Sequence, residues 1–150
     1  MNKTLALVAS LTASSLTWAC SYDGQFSNPF TQSYPGSIEV AIATQHAVLG
    51  RQLANPEALP GNQGLRRVTW WLQLIADQEP TLPEKAYIYL VDSHLWSQVT
   101  ANSSIDIHVP EPTAAGQVFL MSEAALQAVV TNKLSLREAQ ALGVIVETTQ

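Results

Sequence analysis

The residues best equipped for chemistry are few: a single cysteine, Cys20, and three histidines, His46, His94 and His108. No two of the histidines stand at the H-x-H or H-x-x-x-H spacing that lets neighbouring imidazoles share a metal ion. Each is therefore expected to be a solvated or singly hydrogen-bonded side chain. A composite metal centre of Cys20, the histidines and Asp106 needs Cys20 as a free thiolate, the form that binds metal. Asp92-Ser93-His94 assembles the residue types of a hydrolase triad, but as chain neighbours, whereas triad members converge from separate elements. There is no G-x-S-x-G turn, Gly-rich phosphate loop or C-x-x-C pair. No catalytic residue, metal ligand or cofactor is assigned, and a non-catalytic protein is the expectation.

Cys20 itself has a more definite context. Met1-Asn2-Lys3 is a short positive start, and the run from Thr4 to Ala19 holds no charge, which is the plan of a secretory signal peptide over residues 1–19. The run is short and rich in Ser and Thr, unlike the roughly 20 mostly apolar residues of a membrane span. Two cleavage readings compete. Thr17 and Ala19 suit an ordinary signal peptidase, and Leu16-Thr17-Trp18-Ala19-Cys20 resembles the lipobox of bacterial lipoproteins, with Thr17 and Trp18 where an aliphatic and a small residue are usual. The resemblance implies an acyl anchor on Cys20. An anchor also accounts for an odd cysteine in an exported chain, where a lone thiol invites intermolecular pairing. Ser21 in place of an aspartate then implies an outer-membrane lipoprotein facing the periplasm. Without acylation the product is soluble in the periplasm or secreted.

Loss of residues 1–19 removes Lys3 alone among charged residues and moves the formal net charge from −5 to −6. Arg66-Arg67 is the one adjacent basic pair, so no basic surface suits a phosphate backbone, and nucleic acid is excluded as a partner. Apolar residues make up 47% and charged ones only 13%, the balance of a chain that buries a core.

From Ser21 to Gly36, the aromatic residues Tyr22, Phe26, Phe30 and Tyr34 interleave with Asp23-Gly24, Asn28-Pro29 and Pro35-Gly36. That punctuation predicts an extended arm over 20–36, its rings docked on the domain. Residues 37–150 are expected to form one α/β (α+β) domain: a small mixed sheet packed by two longer helices and a C-terminal pair of short ones. Ser37 is the expected cap of the first helix, with Ile38, Ile42, Val48 and Leu49 on its buried face. Leu65, Val68, Leu72 and Ile75, with Trp71 alongside, form the stripe of the second helix after a Pro- and Gly-rich linker. AYIYLVD and QVFLMS read as buried strands, SHLWSQV as a short helix, and IDIHV as a half-buried strand. Ser122 caps a helix, Ser135 and Glu138 form a capping box for another, and Gly143 ends it before a last strand, VIVE.

The stretch VFLMSEAALQAVVTNKLSLREAQALGVIVE, with Ser122, Lys133-Leu134, Glu138-Ala139 and Gly143 in matching places, resembles the closing strand-helix-helix-strand of sterol-carrier-protein-type domains. The resemblance implies a hydrophobic ligand. The opening, CSYDGQFSNPF to SIEVAIATQ, resembles that of small bacterial envelope proteins of unknown function. Three expectations follow: a membrane-tethered accessory protein holding an envelope partner; a binding module for a hydrophobic small molecule or lipid, with Trp70, Trp71, Trp96 and the tyrosines as pocket walls; and a periplasmic metal or redox protein.

Overall fold

The computed structural model describes residues 34–149. The expected signal segment, Cys20 and the rings of Tyr22, Phe26 and Phe30 lie outside the described residues. Helix α1 spans Ser37–Leu49 and α2 Gly61–Gln78. Strands β1 (Tyr87–Leu90), β2 (Leu95–Val99) and β3 (Ile105–Ile107) follow as an antiparallel meander. Then β4 (Gln117–Met121) pairs parallel to β1, and helices α3 (Glu123–Val130) and α4 (Leu136–Ala141) lead to β5 (Ile145–Thr149), antiparallel to β4. The strand order is β3-β2-β1-β4-β5, so the mixed sheet and its two pairs of helices are those expected of an α+β chain.

Strand alternation divides the sheet into two dissimilar faces. Ile88, Leu90, Leu95, Val99, Phe119, Met121 and Ile145 join one aliphatic core with residues of α2, α3 and α4. Val68, Leu72 and Ile75 are fully buried in it and Leu65 packs at its margin, which is what the i, i+3, i+7, i+10 spacing implies. The opposite face carries Tyr89, Val91, Trp96, Val118 and Leu120, packed with Tyr34 and Val40. Tyr34 meets Trp96 edge-on at 5.1 Å and Tyr89 at 5.9 Å between ring centroids. The last ring of the expected aromatic arm is thus docked.

The C-terminal unit obeys its local signals. Ser122 Oγ accepts the Ala125 N–H at 3.1 Å. Ser135 and Glu138 close a reciprocal capping box, with Ser135 N–H donating to Glu138 Oε2 at 2.8 Å. Gly143 takes φ 72° at the end of α4, and Asn132 takes φ 55° in the turn between the two helices, the left-handed conformation that Gly and Asn tolerate best.

Three local expectations are corrected. SHLWSQV is not a helix: His94 turns left-handed at φ 56°, and the chain reverses into β2 against β1. Ser37 is not the cap of α1. Gly36 holds that position at φ 91°, where a Cβ would lie 2.9 Å from Leu120 Cδ1, and Ser37 Oγ donates instead to the Tyr34 carbonyl at 2.6 Å. The third concerns which side of α1 is buried. Val40 and Ala47 face inward, while Ile38, Ile42 and Leu49 are 66%, 53% and 71% exposed. Both sides of this helix are apolar, so its periodicity does not distinguish inside from outside.

Candidate functional site

The histidines do not converge on a metal site. His46 is exposed on α1, His108 is exposed just beyond β3, and His94 stacks on Tyr89 at 6.2 Å. Among the described residues no group of three or more His, Cys, Asp or Glu is placed to hold a metal ion. Asp92, Ser93 and His94 diverge as well. Asp92 reaches the start of α3, Ser93 is buried, and His94 lies against an aromatic ring.

What the fold does assemble is a polar cleft where β1 and β4, the parallel pair, both end. Clefts outside the carboxyl ends of parallel strands are where open α/β sheets commonly place ligands. The cleft is about 260 Å³, with Thr44, Asn55, Glu57, Arg67, Asp92 and Glu123 among its lining residues. The Glu123 N–H donates to Asp92 Oδ2 at 2.6 Å, and the Thr44 hydroxyl donates to Ser122 Oγ at 2.9 Å, which ties α1 to the α3 cap. Asp92 is exposed as a residue, but its carboxyl lies partly enclosed beside α3. Desolvation there raises its pKa, opposed mainly by the Glu123 N–H. The Arg67 guanidinium lies over the Trp71 ring at 4.7 Å and 3.8 Å from Glu123 Oε2, while its Nε is buried without a hydrogen-bond partner. The ionic link is longer than a hydrogen bond and is correspondingly weak.

The cleft can hold a small polar group in a mixed-charge setting. Sequence reasoning misses Arg67 and Glu123 here because α2, the β1 end and α3 are joined only by the tertiary fold.

The second candidate surface is the outer side of α1. Ile38, Ile42 and Leu49, with Gln45 between them, recur at helical spacing along one exposed side. Trp70 is likewise exposed, on α2, so it forms no pocket wall there, whereas Trp71 and Trp96 are buried. No helix among the described residues is long and apolar enough to cross a membrane. No protein-family model, curated protein or solved structure matches the chain.

Proposed function

We propose that the chain is an exported, non-catalytic accessory protein of a bacterial envelope, tied to the membrane through an acylated Cys20 and acting by contact. The observation that carries this reading is the outer face of α1. An apolar stripe on the first helix after the expected anchor is a surface for association, because large apolar side chains lined up in water mark contact sites more often than chance exposure. In the test, protein is extracted from membranes of its native host and weighed intact. The expected mass is that of residues 20–150 plus acyl chains, with Cys20→Ala moving the protein to the soluble fraction. An unmodified Cys20 thiol on wild-type protein overturns the tether.

A second reading, a carrier for a hydrophobic small molecule, draws support from the β4-α3-α4-β5 order, which is what the resemblance to sterol-carrier-type domains implies. Native mass spectrometry of the intact chain distinguishes the two. A stoichiometric lipid that survives detergent exchange without being bonded to Cys20 favours the carrier.

A further inference from the structure

The outer face of α1 is too narrow to be the seat of a stable dimer. Its three large side chains expose on the order of 400 Å², about half of the roughly 800 Å² per partner of a standard interface. It is also almost uncharged. Glu39 is the only acidic residue of α1, and no Lys or Arg lies within it. Only thirteen residues separate Cys20 from Tyr34, and α1 begins three residues later. Fully extended, that tether reaches about 45 Å at most, so acylation at Cys20 holds the start of α1 within that distance of the bilayer.

We infer that the Ile38-Ile42-Leu49 side of α1 seats on the membrane surface that holds the anchor, with the helix lying in the interface plane. This inference rests on the tether reading. A helix of 13 residues is about 20 Å long; its inner side packs on the protein through Val40 and Ala47, which leaves the exposed Ile38, Ile42 and Leu49 to enter the boundary between headgroups and acyl chains. The anchor supplies the high local concentration that a stripe this small needs. Because the chain without residues 1–19 carries a formal net charge of −6, an anionic surface repels it, and the lipid that suits the stripe is zwitterionic. Once α1 is seated, Thr44, on another side of the same helix, stays with the polar cleft, so the membrane sets the orientation in which the cleft is presented.

The experiment uses the full acylated chain in phosphatidylcholine vesicles. Gln45→Cys, in the middle of the stripe, carries an environment-sensitive fluorophore, the Cys20 thiol being occupied by lipid. Nitroxide-labelled lipid is expected to quench this label. Ile38→Ser, Ile42→Ser and Leu49→Ser combined should cut that quenching at least about fivefold and open the label to aqueous iodide. The three side chains are exposed, so an unchanged circular dichroism spectrum is expected and checks the fold. A label open to iodide in both proteins overturns the inference while leaving the tether intact. A label shielded from iodide and from lipid nitroxide alike means that protein covers the face, which also overturns it. A free Cys20 thiol in the intact mass of the same sample defeats the tether, and the inference with it.

Discussion

Replacing Tyr34 by Ala tests whether its ring is docked on the sheet. The ring is only 7% exposed and lies edge-on to Trp96 at 5.1 Å and tilted to Tyr89 at 5.9 Å. Emptying a buried aromatic site costs about 3–5 kcal/mol, of which each aromatic pair contributes about 0.5–1.5 kcal/mol beyond area burial. The ring belongs to the smaller of the two core clusters, and the lower end, about 3 kcal/mol, is expected. With a urea m-value of about 2 kcal/mol/M for a chain of this size, the midpoint falls by about 1.5 M. Tyr34→Phe keeps the ring contacts and should lose less than half as much. The Tyr34 carbonyl also accepts the Ser37 N–H at 3.0 Å and the Ser37 hydroxyl, so loss of the ring should speed hydrogen exchange at the Val40 amide, which bonds Gly36 O at 3.2 Å. Urea unfolding followed by tryptophan fluorescence reads the first effect. A change below about 0.5 kcal/mol for Tyr34→Ala, less than the worth of even one aromatic pair, refutes the docking.

Two further substitutions test the core and the cleft. Leu72→Ala should cost about 2–5 kcal/mol, while Arg66→Ala, on the exposed side of the same helix, should stay within about 0.5 kcal/mol; similar effects at both positions would contradict helix-on-sheet packing. Asp92→Asn tests the raised carboxyl. Its folded pKa lies above the unfolded value of about 3.9, so the wild-type carboxyl contributes most below that value, and its contribution is lost as pH rises through the folded pKa. Asn keeps an oxygen to accept the Glu123 N–H and does not titrate. The urea midpoint of the variant should therefore improve relative to wild type between pH 3 and pH 7, and a relative decline would show that the ionised form is the one favoured in the fold.

Elements whose determinants are local were legible in the sequence. The α2 stripe, the Ser122 cap, the Ser135–Glu138 box and the turns at Asn132 and Gly143 each depend on residues a few positions apart. β2 was misread because Ser93 and His94 look like the entry to a helix, and only pairing with Tyr87 to Leu90 shows that Leu95 to Val99 is extended. The buried side of α1 was misread because Val40 and Ala47 are no more apolar than Ile38 and Leu49; the choice between them is made by what Leu120 and the sheet offer. The cleft was invisible for a related reason. Asp92 and Glu123 are 31 residues apart, and they meet because β1 and β4 run parallel.

That parallel pair also shapes how the chain reaches its fold. Residues 91–116 must leave β1, build β2 and β3, and return before β4 can lie beside β1. Until then the meander holds Ile88 and Leu90 on a strand whose second edge has no partner, and an unpaired apolar edge is a template for other chains. Synthesis proceeds from the amino terminus, so the strand that closes this edge is among the last to emerge. A chain cut before Gln117 keeps the meander yet leaves β1 open, and such a fragment should aggregate. The segment from Gln117 onward is what makes the rest of the sheet safe to expose.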